Sequence, residues 1–171
     1  FFNRGIKIWF YLTLGGLGLF YFLRQLNVSI MASVFSGIVS CLTPYTFGLI
    51  NAGHMNKIYA MAFIPWVLMG AFQVIRRPTL KSALFLSFVT AFQLWVNHPQ
   101  IVYYTWMVIG FYMVWTFGFS VKEKSVSVKV SGKQISGILA GLFLALLMVS
   151  DPYIDIYEFQ KHSTRGAKSI L

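Results

Sequence analysis

The chain alternates between long apolar runs and short polar stretches. A helix that crosses about 30 Å of hydrocarbon needs about 20 mostly apolar residues. Five of the runs meet this requirement, and the fourth is marginal because Lys81 at its start must extend toward the lipid headgroups. The pattern therefore predicts an all-α protein, a polytopic bundle of about six transmembrane helices in a single domain. The six runs are 6–23, 28–50, 58–75, 80–96, 99–119 and 134–150.

Glycine and proline refine this prediction. Gly15, Gly16 and Gly18 fall within the first run, and small residues allow helices to approach closely in lipid. We therefore expect this stretch to be a helix–helix contact. Pro44 and Pro65 lie in the second and third runs, and each is expected to bend or break its helix because proline removes a backbone donor.

Composition agrees with a membrane protein. Of the 171 residues, 57% are hydrophobic and only 11% are charged, against about 25% charged in a typical soluble domain. The net charge is +10, but the basic residues lie mostly between apolar runs. They therefore indicate topology signals and contacts with membrane lipid, not nucleic acid binding. Cys41 is the only cysteine, which excludes a disulfide within the chain.

The distribution of Lys and Arg predicts the orientation. If all six runs cross the membrane, the loops 24–27, 76–81 and 120–133 share one side. The opposite internal loops, 51–57 and 97–98, hold only Lys57. The positive-inside rule places the first set in the cytoplasm, and the two chain ends then lie outside with the second set. The first set contains Arg24, Arg76, Arg77, Lys81, Lys122, Lys124, Lys129 and Lys133.

Three polar stretches thereby meet on the extracytoplasmic side. They are 51–57, 97–100 and 151–166, and together they hold all three histidines and three of the four acidic residues. We interpret them as one polar site, because topology alone brings these distant segments to one membrane surface.

The third stretch predicts a helix that starts at Asp151, with Pro152 in its first position. Asp151, Asp155, Glu158 and His162 follow at spacings of four, three and four, so they share one face. Asp155 and Glu158 are the candidate catalytic residues, as a general base or as oxygen ligands of a divalent metal whose identity stays open. A solvated polar face is the equally weighted alternative. Lys161 and Arg165 follow beside hydroxyls and suit a phosphate, or else anchor in the headgroups.

The other two stretches contribute polar donors. His54, Asn56 and Lys57 can donate to an anion from a tight loop that contains Gly53. Asn97, His98 and Gln100 surround Pro99 at the start of the fifth run. Helix capping explains the proline and one neighbour, but it does not require all three polar side chains. We assign these residues, with Lys161, His162 and Arg165, to substrate or phosphate binding.

The same stretches resemble a known family. Gly53-His-Met-Asn-Lys57, Trp95-Val-Asn-His-Pro-Gln-Ile-Val-Tyr-Tyr104 and Lys161-His-Ser-Thr-Arg-Gly166 are similar in order and spacing to the YfhO family of bacterial membrane proteins. The likeness covers nearly the whole chain and is greatest to Bacteroidetes-type members.

The resemblance implies a fold like that of the GT-C glycosyltransferases, in the bacterial inner membrane. Such enzymes transfer a sugar from a polyprenyl-phosphate carrier on the extracytoplasmic side. The family's catalytic acid lies in the first external loop, and we expect this chain to be a fragment that starts after that loop. The alternative is a non-catalytic membrane subunit that stabilises a larger complex with other membrane subunits.

Overall fold

The computed structural model describes residues 2–122 and 132–162, and every regular element within them is an α-helix. This confirms the all-α prediction. The helices are α1 (Phe2–Gln25), α2 (Ile30–Cys41), α3 (Pro44–Asn51), α4 (Met55–Ala62), α5 (Ile64–Arg76), α6 (Leu80–Trp95), α7 (Pro99–Lys122), α8 (Gly132–Met148) and α9 (Ser150–His162).

The helices run back and forth between two ends of a bundle. At one end, the first turn of α1 shares an opening with the α3–α4 turn, and the Tyr153 hydroxyl of α9 donates to the Leu94 carbonyl of α6 at 3.1 Å. At the other end, the Gln73 amide donates to the Gln25 side chain at 3.4 Å. Gln134 of α8 also donates to the Ile75 carbonyl there. The predicted grouping of turns at two ends is therefore confirmed for the described residues.

Several helices are long and apolar enough to cross a membrane. Among the residues that the structure describes, three continuous stretches qualify by length and composition: Asn3–Gln25, Ile30–Asn51 and Met55–Arg76. The pair α8 and α9 makes a fourth if a chain bent by 59° counts as one span. Within the described residues this is fewer than the six runs predicted. The α6 helix, for example, has only 16 residues.

Both prolines mark breaks, as predicted. The α2 helix ends at Cys41, and Pro44 opens α3 with the Thr43 hydroxyl accepting from the Thr46 amide. The α4 helix ends at Ala62, and Pro65 stands in the first turn of α5. Proline is tolerated in a first turn because amides there have no intrahelical partner. Each proline therefore lies at the start of a new helix within a longer helical stretch.

The α5 helix is the centre of the bundle, because it packs against α1, α6, α7 and α8. Its sequence is apolar around most of its circumference, which is typical of a buried helix. Val67 and Val74 are completely buried, and Leu86 of α6 is equally buried against them. The helix ends at Arg76, whose guanidinium lies 4.3 Å from the centroid of the Phe72 ring.

The glycines of the first run form the predicted contacts. A Cβ atom on Gly16 would lie 2.9 Å from the Gly37 carbonyl oxygen of α2, and one on Gly37 would lie 2.8 Å from the Gly16 oxygen. Such distances do not occur for real Cβ atoms, so the two backbones cross in direct contact. Gly15 packs similarly against Ala62, and Gly18 against the Trp66 ring. Small residues thus fix the position of α1 against two neighbours.

This crossing generates a stability prediction. Replacing Gly37→Ala forces the α1 and α2 backbones apart, and we expect a loss of about 1–3 kcal/mol, the usual cost of overpacking. The measurement is the thermal unfolding midpoint of the purified protein in detergent. Gly48→Ala is the matched control, since a Cβ there meets no atom within 4 Å and alanine favours helix. Equal midpoints for the two variants would show that the crossing is not tight.

Candidate functional site

The α3–α4 turn presents His54, Asn56 and Lys57 at one end of the bundle. Gly53 adopts a φ of 75°, a left-handed conformation that glycine accepts without steric cost. The chain reverses there, and His54 becomes the N-cap of α4 without a side-chain capping hydrogen bond. Because an uncapped helix start leaves amide donors facing outward, this turn is suited to an anion.

The α6–α7 turn lies beside it. Asn97 has a φ of 57°, which asparagine tolerates better than most residues, and Pro99 then starts α7. This turn places His98 in an open cavity of about 290 Å³ with His54, Asn56 and Lys57. The structure therefore brings together four of the predicted binding residues, from two separate stretches of the sequence.

A second opening adjoins the first and has a volume of about 490 Å³. The two share Gly53, Met55 and Asn56, so they form one depression at this end of the bundle. We call the whole depression the basic mouth. Its polar and charged lining consists of Asn3, Arg4, Lys7, His54, Asn56, Lys57, Tyr59 and His98.

The charge of the basic mouth has one sign. Arg4, Lys7 and Lys57 are cationic, and no carboxylate of the described residues lines either opening. Lys57 is half-buried, with its ammonium 5.4 Å from the centroid of the Tyr45 ring. Three cations and an uncapped helix start at one place generate a positive potential, so the arrangement favours a phosphate or another anion.

His98 adds a further hydrogen-bonding group beside these cations. Its Nδ1 atom is buried and has no hydrogen-bond partner among the described residues. Unpaired buried polar atoms are uncommon in folded proteins. A hydroxyl or phosphate oxygen that entered the opening is one group that would satisfy this ring.

The predicted catalytic carboxylates lie elsewhere. The α9 helix begins at Ser150, one residue before the predicted start, and Asp151, Asp155 and Glu158 are exposed on it. The Tyr153 hydrogen bond keeps the start of α9 at the same end as the basic mouth. However, none of the three carboxylates contributes to the lining of the mouth. Among the side chains that the structure describes, no three His, Cys, Asp or Glu are grouped to hold a metal ion.

The remaining predicted residues are divided between exposed positions and the undescribed part of the chain. Asn97 is exposed at the turn, and the Gln100 amide donates to the Tyr104 hydroxyl at 3.0 Å. Neither residue lines the mouth. His162 and Lys161 end α9, but their side chains lie outside the description. Arg165 lies outside the described residues altogether.

Sequence reasoning did not assign Arg4, Lys7 or Tyr59 to the site. The signal for the two cations was present, since the predicted topology already placed the start of the chain on the same side as the histidine turns. Tyr59 stacks on Tyr11 of α1, with ring centroids 4.1 Å apart and planes 23° from parallel, and no pattern in the sequence indicated this pair.

Comparison of the chain with protein-family models, curated proteins and solved structures finds no match. The geometry and charge of the basic mouth are therefore the main indication of function.

The shared position of the two histidine turns generates a labelling prediction. In a Cys41→Ser background, Asn56→Cys and Asn97→Cys should react with an impermeant maleimide from the same face of sealed membrane vesicles. Arg77→Cys, which follows the end of α5 far from the basic mouth, should react only from the other face. Reaction of Asn56→Cys and Asn97→Cys from opposite faces would disprove the assembly of a common mouth.

Proposed function

We propose that this chain is part of a membrane glycosyltransferase-like protein that binds a polyprenyl-phosphate-linked sugar on the extracytoplasmic side of a bacterial inner membrane. The observation that carries the proposal is the basic mouth at the end of an apolar helical bundle. The phosphate of such a lipid lies at the membrane surface, where the hydrocarbon core ends, and the basic mouth lies at one end of the apolar bundle. The GT-C-like fold implied by the sequence resemblance is part of the same proposal.

Arg4, Lys7 and Lys57 are assigned to the carrier phosphate. Arginine can bind phosphate oxygens through two parallel hydrogen bonds, and lysine acts as a compact charge. The amides at the start of α4 supply further donors without a charge of their own. His54, Asn56 and His98 then provide hydrogen bonds to phosphate oxygens or to sugar hydroxyls.

The proposed transfer is a substitution at the anomeric carbon. A base removes the proton from an acceptor hydroxyl, the acceptor oxygen bonds to the anomeric carbon, and the bond from that carbon to the phosphate oxygen breaks. The polyprenyl phosphate leaves with the electron pair of that bond, and the cations of the mouth stabilise its charge. Asp155 and Glu158 are the candidate bases, because α9 starts at the same end of the bundle.

A second function, that of a non-catalytic membrane subunit, is favoured by a different observation. None of the described carboxylates lines the basic mouth, so this end is better equipped to hold an anion than to deprotonate an acceptor. In addition, large apolar side chains such as Phe111, Val114 and Trp115 point outward from α7 and are 65–71% exposed. Either lipid or a neighbouring membrane subunit can cover such a surface.

The phosphate assignment generates a binding prediction. Lys57→Gln removes a cation of the mouth but retains a polar side chain, and we expect about tenfold weaker binding of a polyprenyl-phosphate sugar. Binding is measured by microscale thermophoresis of the purified protein in lipid nanodiscs, at low and high salt, because screening should reduce the difference. Lys81→Gln, at the other end of the bundle, is the charge-matched control. Equal affinities for both variants would remove Lys57 from the phosphate site.

An assay of sugar transfer distinguishes the catalytic function from the non-catalytic one. If Asp155 or Glu158 is the base, the double variant Asp155→Asn, Glu158→Gln should lose at least about a hundredfold in sugar transfer and should retain carrier binding. Asp151→Asn is the matched control on the same helix. The assay follows radiolabelled sugar leaving the carrier, using the native protein extracted from its membrane. Carrier binding without turnover in the wild type, together with co-purified partner subunits, would favour the non-catalytic function.

A further inference from the structure

An apolar cavity lies directly below the basic mouth. It has a volume of about 220 Å³ and lies between α1, the α2–α3 stretch and the α4–α5 stretch. Both proline-marked breaks border it, since Thr46 and Pro65 are part of its wall. The interruptions of the two helical stretches therefore coincide with this space.

A second apolar cavity of about 280 Å³ continues the first toward the opposite end. The two cavities share Phe22 and Leu68, and the second extends to Leu26, just after α1, and to Tyr112 of α7. The walls run along α1 from Tyr11 to Leu26, one residue past its end, which is about 22 Å at 1.5 Å per residue. We call these two cavities together the apolar track. Its length is most of the thickness of a membrane's hydrocarbon core.

The lining of the apolar track is suited to a hydrocarbon. No charged side chain of the described residues lines either cavity. The few polar groups of the first cavity already have partners: the Ser40 hydroxyl donates to the Gly37 carbonyl at 2.7 Å, and the Cys41 thiol to the Leu12 carbonyl at 3.1 Å. The Thr46 hydroxyl pairs with that of Thr43 at 2.9 Å. An occupant therefore meets no unsatisfied donor or acceptor in these three groups.

The track and the mouth meet at one aromatic pair. Tyr11 lines the upper cavity, and Tyr59 lines the basic mouth. Their rings are stacked, so the two spaces are separated by little more than this contact. A molecule with an anionic head and a long apolar chain matches this arrangement, with the head in the basic mouth and the chain in the apolar track.

We propose that the apolar track holds the hydrocarbon chain of the phosphate-bearing lipid whose head is bound in the basic mouth. This inference rests on the proposed function and assigns the carrier's chain to a path between α1, α5 and their neighbours. The chain leaves a lipid environment that is equally apolar, so transfer itself contributes little. The gain comes from contacts with fixed walls and from holding the phosphate above the track.

The test is to obstruct the track without changing the mouth. Ser40→Phe places a ring in the upper cavity, and it removes only a hydroxyl whose bond lies within its own helix. We expect about tenfold weaker binding of a long-chain polyprenyl-phosphate sugar in nanodiscs. Binding of a water-soluble analogue with a single isoprene unit should be unchanged. Ser36→Phe, one helical turn earlier and lining neither cavity, is the matched control and should bind both ligands normally.

The outcomes separate this inference from the proposed function. If the wild type binds neither ligand, the phosphate site itself is disproved, and the track proposal fails with it. If the wild type binds both and Ser40→Phe affects neither, the chain lies elsewhere while the proposed function stands. Equal weakening by Ser40→Phe and Ser36→Phe would attribute the effect to α2 packing and would also overturn the track.

A second measurement covers the case in which Ser40→Phe does not fold. A carrier with a photoreactive diazirine at the far end of its chain is bound to the wild type and irradiated, and adducts are mapped by mass spectrometry. We expect adducts at Leu68 and Tyr112 that excess unlabelled carrier abolishes. Adducts confined to outward side chains such as Met31, which is 82% exposed, would overturn the proposal.

Discussion

The architecture depends on the need to satisfy backbone hydrogen bonds where water is absent. In hydrocarbon, an unpaired amide or carbonyl costs several kcal/mol, so a chain this apolar is restricted to helices over most of its length. Turns and polar side chains are then driven to the ends of the bundle. The α3–α4 and α6–α7 turns meet for this reason, although His54 and His98 lie far apart in the sequence. The basic mouth forms because the helices end, and their polar turns lie, at this end of the bundle.

Close packing of small residues then determines which spaces remain. Where Gly16 meets Gly37, the α1 and α2 backbones touch, and no ligand can pass between them. The apolar cavity begins beside this contact, since Gly16 and Cys41 are part of its wall, and it extends to Thr46 and Pro65 at the two helix breaks. The α1 helix thus forms both a close contact with α2 and a wall of the cavity.

The helical class, the glycine contact and the grouping of histidine turns were predictable because each follows from local chemistry. Apolar runs, small residues and proline have nearly context-free effects in a membrane protein. The number of spans was less predictable, since α6 stops after 16 residues at the Asn97 turn. The direction of α9 was not predictable at all. Its 59° bend follows a one-residue break at Val149 and depends on tertiary contacts such as that of Tyr153 with Leu94.

That bend also explains why the carboxylates of α9 lie at the same end of the bundle as the basic mouth but do not line it. Topology places Asp155 and Glu158 at the correct end, but a helix that turns away at Val149 carries its carboxylates outside the openings that His54 and His98 share. Had they entered the mouth, they would have neutralised the potential of Arg4, Lys7 and Lys57 and weakened any phosphate site. The absence of the described acids from the mouth and their exposure on α9 are therefore both compatible with the proposed function. In that proposal the mouth holds the anion, and a carboxylate acts on a second molecule only if that molecule is positioned beside α9.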